Sequence, residues 1–239
     1  MDHSHALEGR VAIVTGGSRG IGQAIAEAIL ARGGKVAITG LSQANLDAAR
    51  ARLGADDRVE TIRSDVRHPE EAAAMVDSTV ARFGGLDILV NNAGVGRFAH
   101  AADMTVAQWH DVIDTNLSGV FYCCHAAIPH LRARGGGWIV NVSSLAGKNA
   151  FVGGAAYCAS KAGLNAFSEA LMQEVRHDGI RVSYVMPGSV ATEFGGQPGD
   201  EAWKLAPADV AQVVVDLLAH DRRSLPSRVE IRPSQPPRK

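Results

Sequence analysis

The stretch Arg10-Val-Ala-Ile-Val-Thr-Gly-Gly-Ser-Arg-Gly-Ile-Gly22 decides the fold. Its short apolar, β-branched run from Arg10 to Val14 predicts a buried strand, and Gln23 to Arg32 have helical periodicity. The glycines between them let a backbone approach a pyrophosphate closely, and a helix N-terminus favours negative charge. The spacing is Gly-x-x-x-Gly-x-Gly rather than the commoner Gly-x-Gly-x-x-Gly, so the turn alone is a weak signal of a dinucleotide site.

The same strand–helix alternation continues along the chain. Further strands are predicted at residues 35–39, 59–63, 86–91, 138–143, 180–185 and 228–232, and further helices at 42–53, 69–83, 105–134, 155–177 and 208–219. This order predicts an α/β protein with a doubly wound parallel β-sheet and helices on both faces, a Rossmann fold. Pro129 is expected to kink the long helix or to mark its last turn.

No repeat or shift in composition divides the chain. Residues 1–239 are therefore predicted to form a single domain with an ordered core of about residues 9–232. Residues 1–8 and the proline-rich tail 233–239 are expected to be loose. The segment 189–206 is longer than a usual connection and is expected to be a functional loop.

Bulk properties exclude several function classes. The formal net charge of -1 gives no indication of a nucleic-acid or anionic-membrane partner. The three cysteines form no disulfide framework, and the scattered histidines have no metal-site spacing, so no metal is expected. The N-terminus lacks the build of a signal peptide, no apolar run reaches the length of a membrane span, and a cytoplasmic location is expected.

The stretch from Ser144 to Lys161 carries the candidate chemistry. Tyr157 and Lys161 are at positions i and i+4, so on a helix they share one face. A nearby ammonium lowers the pKa of a phenol, which is ordinarily about 10, toward a value that suits proton transfer near neutral pH. Ser144 follows a predicted strand, where ligands of open α/β sheets bind. Alone, a Tyr-x-x-x-Lys pair is weak, and a serine after a strand is more often a turn or cap residue.

Other motifs, in a fixed order, strengthen that interpretation. They are Thr15-Gly16-x-x-x-Gly20-x-Gly22, Asp65-Val66, Asn91-Asn92-Ala93-Gly94, Asn116, Ser144, Tyr157-x-x-x-Lys161, and Pro187-Gly188 with Val190 and Thr192. With these motifs the chain resembles the short-chain dehydrogenase/reductase family, from about Gly9 to Arg232. The resemblance implies an oxidoreductase that transfers a hydride between nicotinamide and a carbonyl or secondary alcohol.

The resemblance also implies catalytic roles. Tyr157 is expected to be the general acid/base, and Lys161 to lower its pKa and to bind the nicotinamide ribose. Ser144 is expected to donate to the substrate oxygen. Asn116 is expected to hold a water that links Lys161 to solvent, although an asparagine inside a long helix can also simply mark a kink.

The cofactor is expected to lie along the glycine loop and the strand ends. The resemblance implies that Asp65 contacts the adenine ring and that Asn91 lies along the cofactor. The full expected set is Gly16, Ser18, Arg19, Gly20, Ile21, Gly22, Gly40, Leu41, Ser42, Asp65, Val66, Asn92, Ala93, Gly94, Tyr157, Lys161, Pro187, Gly188, Val190 and Thr192.

The choice between NAD and NADP depends on the end of the second strand. An NAD site needs an acidic residue there for the ribose 2′-hydroxyl, and Gly40 occupies that position. Arg19 can pair with a 2′-phosphate and Ser42 can donate to it, although Leu41 stands where many NADP-dependent relatives carry a second arginine. These residues favour NADP(H).

Substrate-facing positions are expected in residues 95–100, 145–154 and 194–203. The substrate is expected to meet Ser144, Leu145, Phe151, Phe194 and Trp203, which suits a medium-sized ketone or a 3-oxoacyl-type compound. The ending Val229 to Ser234 departs from the glycine-rich end of acyl-carrier-protein reductases. Apolar residues on two faces of the helices 105–134 and 155–177 predict a homodimer or homotetramer. The alternative function is a non-catalytic NADP(H)-binding sensor or scaffold, against which the intact set of Ser144, Tyr157, Lys161 and Asn116 argues.

Overall fold

The computed structural model describes residues 6–54, 57–194, 202–221 and 223–237. Within them, seven parallel strands form one sheet in the order β3-β2-β1-β4-β5-β6-β7. The strands are β1 (Val11–Val14), β2 (Lys35–Gly40), β3 (Val59–Arg63), β4 (Ile88–Asn91), β5 (Gly137–Val142), β6 (Ile180–Pro187) and β7 (Arg228–Ile231). The predicted doubly wound parallel sheet is confirmed.

Helices cover both faces of the sheet. They are α1 (Gly20–Leu30), α2 (Gln43–Leu53), α3 (Pro69–Phe83), α4 (Val106–Ile113), α5 (Gly119–Ala133), α6 (Ala155–Val175) and α7 (Pro207–Leu218). Val14 faces the cluster with α1 and α7, whereas its neighbour Ile13 faces the cluster with α3, α5 and α6. Because both faces are covered, the central strands are continuously apolar.

The free cysteines and one N-terminal residue belong to this interior. Cys123, Cys124 and Cys158 are all buried. Leu7 is also buried, and its N–H donates to the carbonyl of Arg32 at 3.1 Å. The expectation that residues 1–8 are loose is therefore wrong at Leu7, and residues 1–5 lie outside the described part of the chain.

The helix predicted for residues 105–134 is interrupted, but not at Pro129. A π-helical turn, Asp114–Ser118, separates α4 from α5, and α5 continues through Pro129 to Ala133. The turn contains Asn116, whose side chain is bound to groups outside the helix. Local widening of a helix of this kind is frequent at functional sites.

The strand order places a crevice between β1 and β4. The connections from β1 and β4 lead to opposite sides of the sheet, and ligands of such sheets bind beyond the carboxyl ends at this point. Thr15 joins the two strand ends, because its Oγ1 accepts from the N–H groups of Asn92 and Ala93, both at 3.0 Å. Among the described helices, none combines the length and apolar character that a membrane span requires.

Candidate active site

A cleft of about 1440 Å³ runs along the carboxyl edge of the sheet. It is lined by the predicted substrate residues Ser144, Leu145, Phe151, Phe194 and Trp203, and by every predicted cofactor residue except Gly22. Gly22 lies beneath the loop instead, where a Cβ would collide with the Gly16 carbonyl and the Asn92 side chain. The structure thus places the predicted residues together, while their roles stay predictions.

The glycine loop fits a pyrophosphate. Gly16 and Gly20 have φ angles of 62° and 55°, which residues with a Cβ rarely adopt. The helix α1 begins at Gly20, and the side chain of its N-cap residue, Arg19, makes no capping hydrogen bond. The helix N-terminus therefore has no side-chain oxygen over it, which leaves its N–H dipoles to a bound anion.

β2 ends at Gly40, close to Ser18 of the glycine loop. A Cβ at Gly40 would lie 3.3 Å from Ser18 Oγ, and no carboxylate lies at residues 40–42. Ser42 is the N-cap of α2, where its side chain accepts from the N–H of Asn45 and keeps its O–H for donation to another group. Leu41 is exposed.

Two predicted cofactor contacts are bound to protein partners. Arg19 forms an ion pair with Glu193 at 2.9 Å, in the segment after β6. The carboxylate of Asp65 pairs with Arg67 at 2.6 Å, and this hydrogen bond lowers the pKa of Asp65. Asn91 is buried and donates to Asn141 at 2.9 Å, so the expectation that it lies along the cofactor is wrong.

Ser144, Tyr157 and Lys161 meet where β5 ends and α6 begins. Ser144 caps the short 3-10 turn Leu145–Gly147, accepting from the N–H of Ala146 at 3.1 Å. A side-chain hydrogen bond also links Ser144 to Tyr157. Lys161 is buried, and its Nζ donates to the Val142 carbonyl at 2.9 Å. Its Nζ lies 5.8 Å from the centre of the Tyr157 ring.

Burial dominates the protonation of this group. It raises the pKa of Tyr157, although the hydrogen bond from Ser144 acts in the opposite direction. Burial also lowers the pKa of Lys161 from 10.5 to about 8. Desolvation therefore sets the direction of the pKa shift of Tyr157 in the chain by itself, and the lowering of that pKa by Lys161 stays a prediction.

Asn116 is fully buried, and it is not one of the residues that line the cleft. Its Nδ2 donates to the Val95 carbonyl at 2.9 Å and to Ser160 Oγ at 3.1 Å, and its Oδ1 accepts from the Val95 N–H at 2.8 Å. Ser160 in turn donates to the Tyr157 carbonyl at 2.8 Å. The asparagine therefore ties the loop after β4 to α6, and both of its side-chain donors are used by the protein. The predicted bound water stays a prediction.

The comparisons with known proteins agree with this geometry. A family described as short chain dehydrogenase matches residues 10–202. The chain belongs to the short-chain dehydrogenase family. It is an oxidoreductase by that membership.

Individual relatives of this short-chain dehydrogenase differ in their named substrates. The chain is 38% identical over 213 residues to the D-threitol dehydrogenase of Mycolicibacterium smegmatis, and the alignment covers 87% of this chain and 82% of that protein. It is 38% identical over 223 residues to the 3-oxoacyl-(acyl-carrier-protein) reductase FabG of Vibrio cholerae, covering 93% and 89%. A metagenomic short-chain oxidoreductase solved in complex with NADP has 37% identity and a TM-score of 0.84, over 96% of this chain and all of that one.

The sequence analysis did not name several residues that line the cleft of this short-chain dehydrogenase. Phe98 packs its ring 5.7 Å from that of Tyr157, and Pro233 and Pro236 of the tail also line the cleft. Asp111 of α4 pairs with both Arg67 and Arg97. Only Phe98 gave a usable signal, as an aromatic residue in a segment already expected to face substrate. Of the predicted segment 194–203, the structure describes Phe194, Ala202 and Trp203, and among all described residues it shows no metal-binding cluster.

Proposed function

We propose that this chain is an NADP(H)-dependent carbonyl reductase and alcohol dehydrogenase with Tyr157 as the general acid/base. The observation that carries the proposal is the convergence of Ser144, Tyr157 and Lys161 in the cleft that also contains the glycine loop. When bound, the nicotinamide supplies or accepts the hydride.

The side chains of the free site suit reduction. Because burial raises the pKa of Tyr157, its phenol is protonated at pH 7 and can donate to a carbonyl oxygen. The hydroxyl of Ser144 beside it can donate to the same oxygen as negative charge develops there. Lys161 is held by the Val142 carbonyl at the floor of the site, so its ammonium adds positive charge at a fixed position.

Preference for NADP(H) over NAD(H) rests on the adenosine end of the cleft. Gly40 supplies no carboxylate to repel a 2′-phosphate or to bind a free 2′-hydroxyl, and Arg19 lies in the loop next to this position. The structural relative solved with NADP supports the same cofactor.

The substrate is proposed to be a medium-sized ketone or 3-oxoacyl-type compound. Leu145, Phe151, Phe194 and Trp203 give the cleft an apolar wall. Relatives named for a sugar alcohol and for a 3-oxoacyl thioester show that the family model alone does not select among these. The single-domain organisation, a homodimer or homotetramer and a cytoplasmic location complete the proposal.

The variant Tyr157→Phe tests the proposed function, because it removes the acid and keeps the ring. General acid–base catalysis contributes about 10²–10⁴-fold, so NADPH-dependent ketone reduction should fall by at least about 10²-fold. NADPH affinity, measured by the fluorescence of the bound nucleotide, should change little. Wild-type turnover in this variant would refute the role of Tyr157. NADPH binding without turnover of any carbonyl compound by the wild type would instead favour a sensor or scaffold.

A further inference from the structure

Three phenylalanine rings from three separate loops lie together in the cleft, and two of them pack against Tyr157. Phe98 follows β4, Phe151 precedes α6 and Phe194 follows β6. The ring centroids of Phe98 and Phe194 lie 5.7 Å and 5.6 Å from that of Tyr157. Phe98 also lies 5.8 Å from Phe151 and 6.5 Å from Phe194. These distances are those of favourable aromatic pairs, and we refer to Phe98, Phe151 and Phe194 as the aromatic cluster.

The backbone is shaped around the aromatic cluster. A Cβ at Gly96 would lie 2.8 Å from Phe98 Cζ and 3.0 Å from Phe194 Cζ. A Cβ at Gly154 would lie 2.6 Å from Phe151 Cε2. Side chains at these two positions would displace the rings, so the absence of side chains there is a condition for the cluster's geometry.

The rings also remain unusually open. The exposed fractions of Phe98, Phe151 and Phe194 are 45%, 48% and 45%, and all three residues line the cleft. Exposed apolar patches rimmed by polar groups mark interaction sites, and ligand-binding grooves are one class of them. The open ring surface lies beside the one phenol that the proposed function uses, which indicates that the covering group is part of the substrate.

We propose that the substrates are aryl ketones, and in the reverse direction aryl carbinols, whose ring binds against the aromatic cluster. This inference rests on the proposed function. The aromatic cluster can offer ring faces and edges to a substrate ring, while the adjacent carbonyl reaches Tyr157 and Ser144. The overall reaction converts the aryl ketone, NADPH and one proton into the aryl carbinol and NADP⁺, and Tyr157 delivers the proton to the carbonyl oxygen.

Acetophenone and cyclohexyl methyl ketone test this inference, because they have the same carbon skeleton and differ in aromaticity. Their intrinsic reactivity differs, so the relevant quantity is how a variant changes the ratio of their kcat/KM values. One aromatic contact is worth about 2- to 12-fold. Phe98→Leu should therefore lower the acetophenone preference by about that factor, and Phe151→Leu should act in the same direction. Phe83→Leu on α3, outside the cleft, should leave the ratio unchanged.

A second readout does not depend on turnover. Saturation-transfer NMR on the NADPH complex, which has no hydride acceptor and so cannot oxidise an alcohol, with 1-phenylethanol and 1-cyclohexylethanol in competition, should show preferential binding of the aryl alcohol to the wild type. That preference should decline in Phe98→Leu, with circular dichroism confirming that the variant is folded.

Two outcomes would overturn the inference, and they are distinguishable from failure of the proposed function. Unchanged ratios in both cluster variants would exclude aromatic recognition. Turnover of ethyl acetoacetate with NADPH, without turnover or binding of the aryl pair, would exclude the aryl class while the reductase function stands. Absence of both NADPH binding and turnover of any carbonyl would overturn the two proposals together.

Discussion

At the scale of single residues, Lys161 combines a charge with an almost fully buried position. Burial lowers its pKa from 10.5 to about 8, so the folded protein binds this proton more weakly than the unfolded chain. Burial of the charged Lys161 lowers the free energy of unfolding. This reduction is complete below pH 8 and disappears as the pH rises from about 8 to 10.5. At about 1.4 kcal/mol per pKa unit, the loss is about 3 kcal/mol.

Lys161→Met is therefore expected to be more stable than the wild type while being inactive. Allowing for the lost hydrogen bond to Val142, the gain in unfolding free energy at pH 7 should be about 1 to 3 kcal/mol. Urea unfolding at pH 7 and pH 10 measures it, and the difference between the two proteins should shrink at the higher pH. A difference independent of pH would show that the buried charge is not its source.

Ser144 affects both the substrate oxygen and Tyr157. Removing a hydrogen-bond donor of this kind lowers kcat by about 10²–10³-fold, and Ser144→Ala should lose reduction activity to that extent. Because the hydrogen bond from Ser144 lowers the pKa of Tyr157, its removal should raise that pKa further. Alcohol oxidation needs the phenolate, so the rising limb of its pH–rate profile should move to higher pH. A profile that falls in amplitude without moving would contradict this coupling.

At the scale of elements, an ion pair joins the two walls of the cleft. Arg19 precedes α1 and Glu193 follows β6, and both side chains are exposed, at 69% and 81%. A Cβ at Gly20 would lie 3.4 Å from the methyl group of Thr192, so the two segments also approach each other closely. In the proposed NADP(H) site, Glu193 would therefore compete with the 2′-phosphate for the guanidinium of Arg19.

Glu193→Gln should consequently strengthen NADPH binding. Exposed ion pairs are worth about 0.2 to 1 kcal/mol, which predicts a gain of up to about 5-fold for NADPH and almost none for NADH. Arg19→Ala should do the reverse, weakening NADPH by about 10-fold. Calorimetric titrations at low salt measure both. Equal effects of either substitution on the two nucleotides would show that Arg19 does not bind the 2′-phosphate.

The elements also show how far the sequence could predict this molecule. Buried strands such as β5 were predictable to within one or two residues, because continuous β-branched runs have few other structures available. The π-helical turn was not, because it depends on contacts of Asn116 with Val95 and Ser160, which the helical periodicity does not contain. The grouping of the predicted site residues followed from the motifs. The aromatic cluster depends on three loops converging, which no local pattern records.

At the scale of the whole molecule, α5 and α6 carry exposed apolar side chains that lie outside the cleft. Of the apolar residues on α5 and α6, Val120, Leu164 and Leu171 are in the core, where one of the two apolar faces of these helices packs. Phe121 of α5 is 48% exposed, with its ring 6.3 Å from that of Phe167 on α6. In the proposed homodimer or homotetramer, a second copy of the chain would cover the surface around Phe121 and Phe167.

Light scattering should then give a particle of two or four times 25.1 kDa for the wild type. Phe121→Glu places a charge in the proposed interface, where desolvation without a partner is unfavourable, and should shift the protein toward the monomer at micromolar concentration. Ala48→Glu, at an exposed position of α2, serves as a surface control. A wild-type particle of 25.1 kDa would exclude the assembly.

The buried thiols of Cys123 and Cys124 should react very slowly with thiol reagents in the folded protein. Burial raises the pKa of Cys123 to about 12, and that of Cys124 is raised as well, so almost no thiolate is present at pH 8. A disulfide reagent added in a short pulse would therefore label Cys123 and Cys124 only in molecules that have opened. The rate at which the reagent modifies these thiols measures how often the protein unfolds, and no fluorescent label has to be attached. A single cysteine introduced on the surface would likewise be modified selectively in the native background.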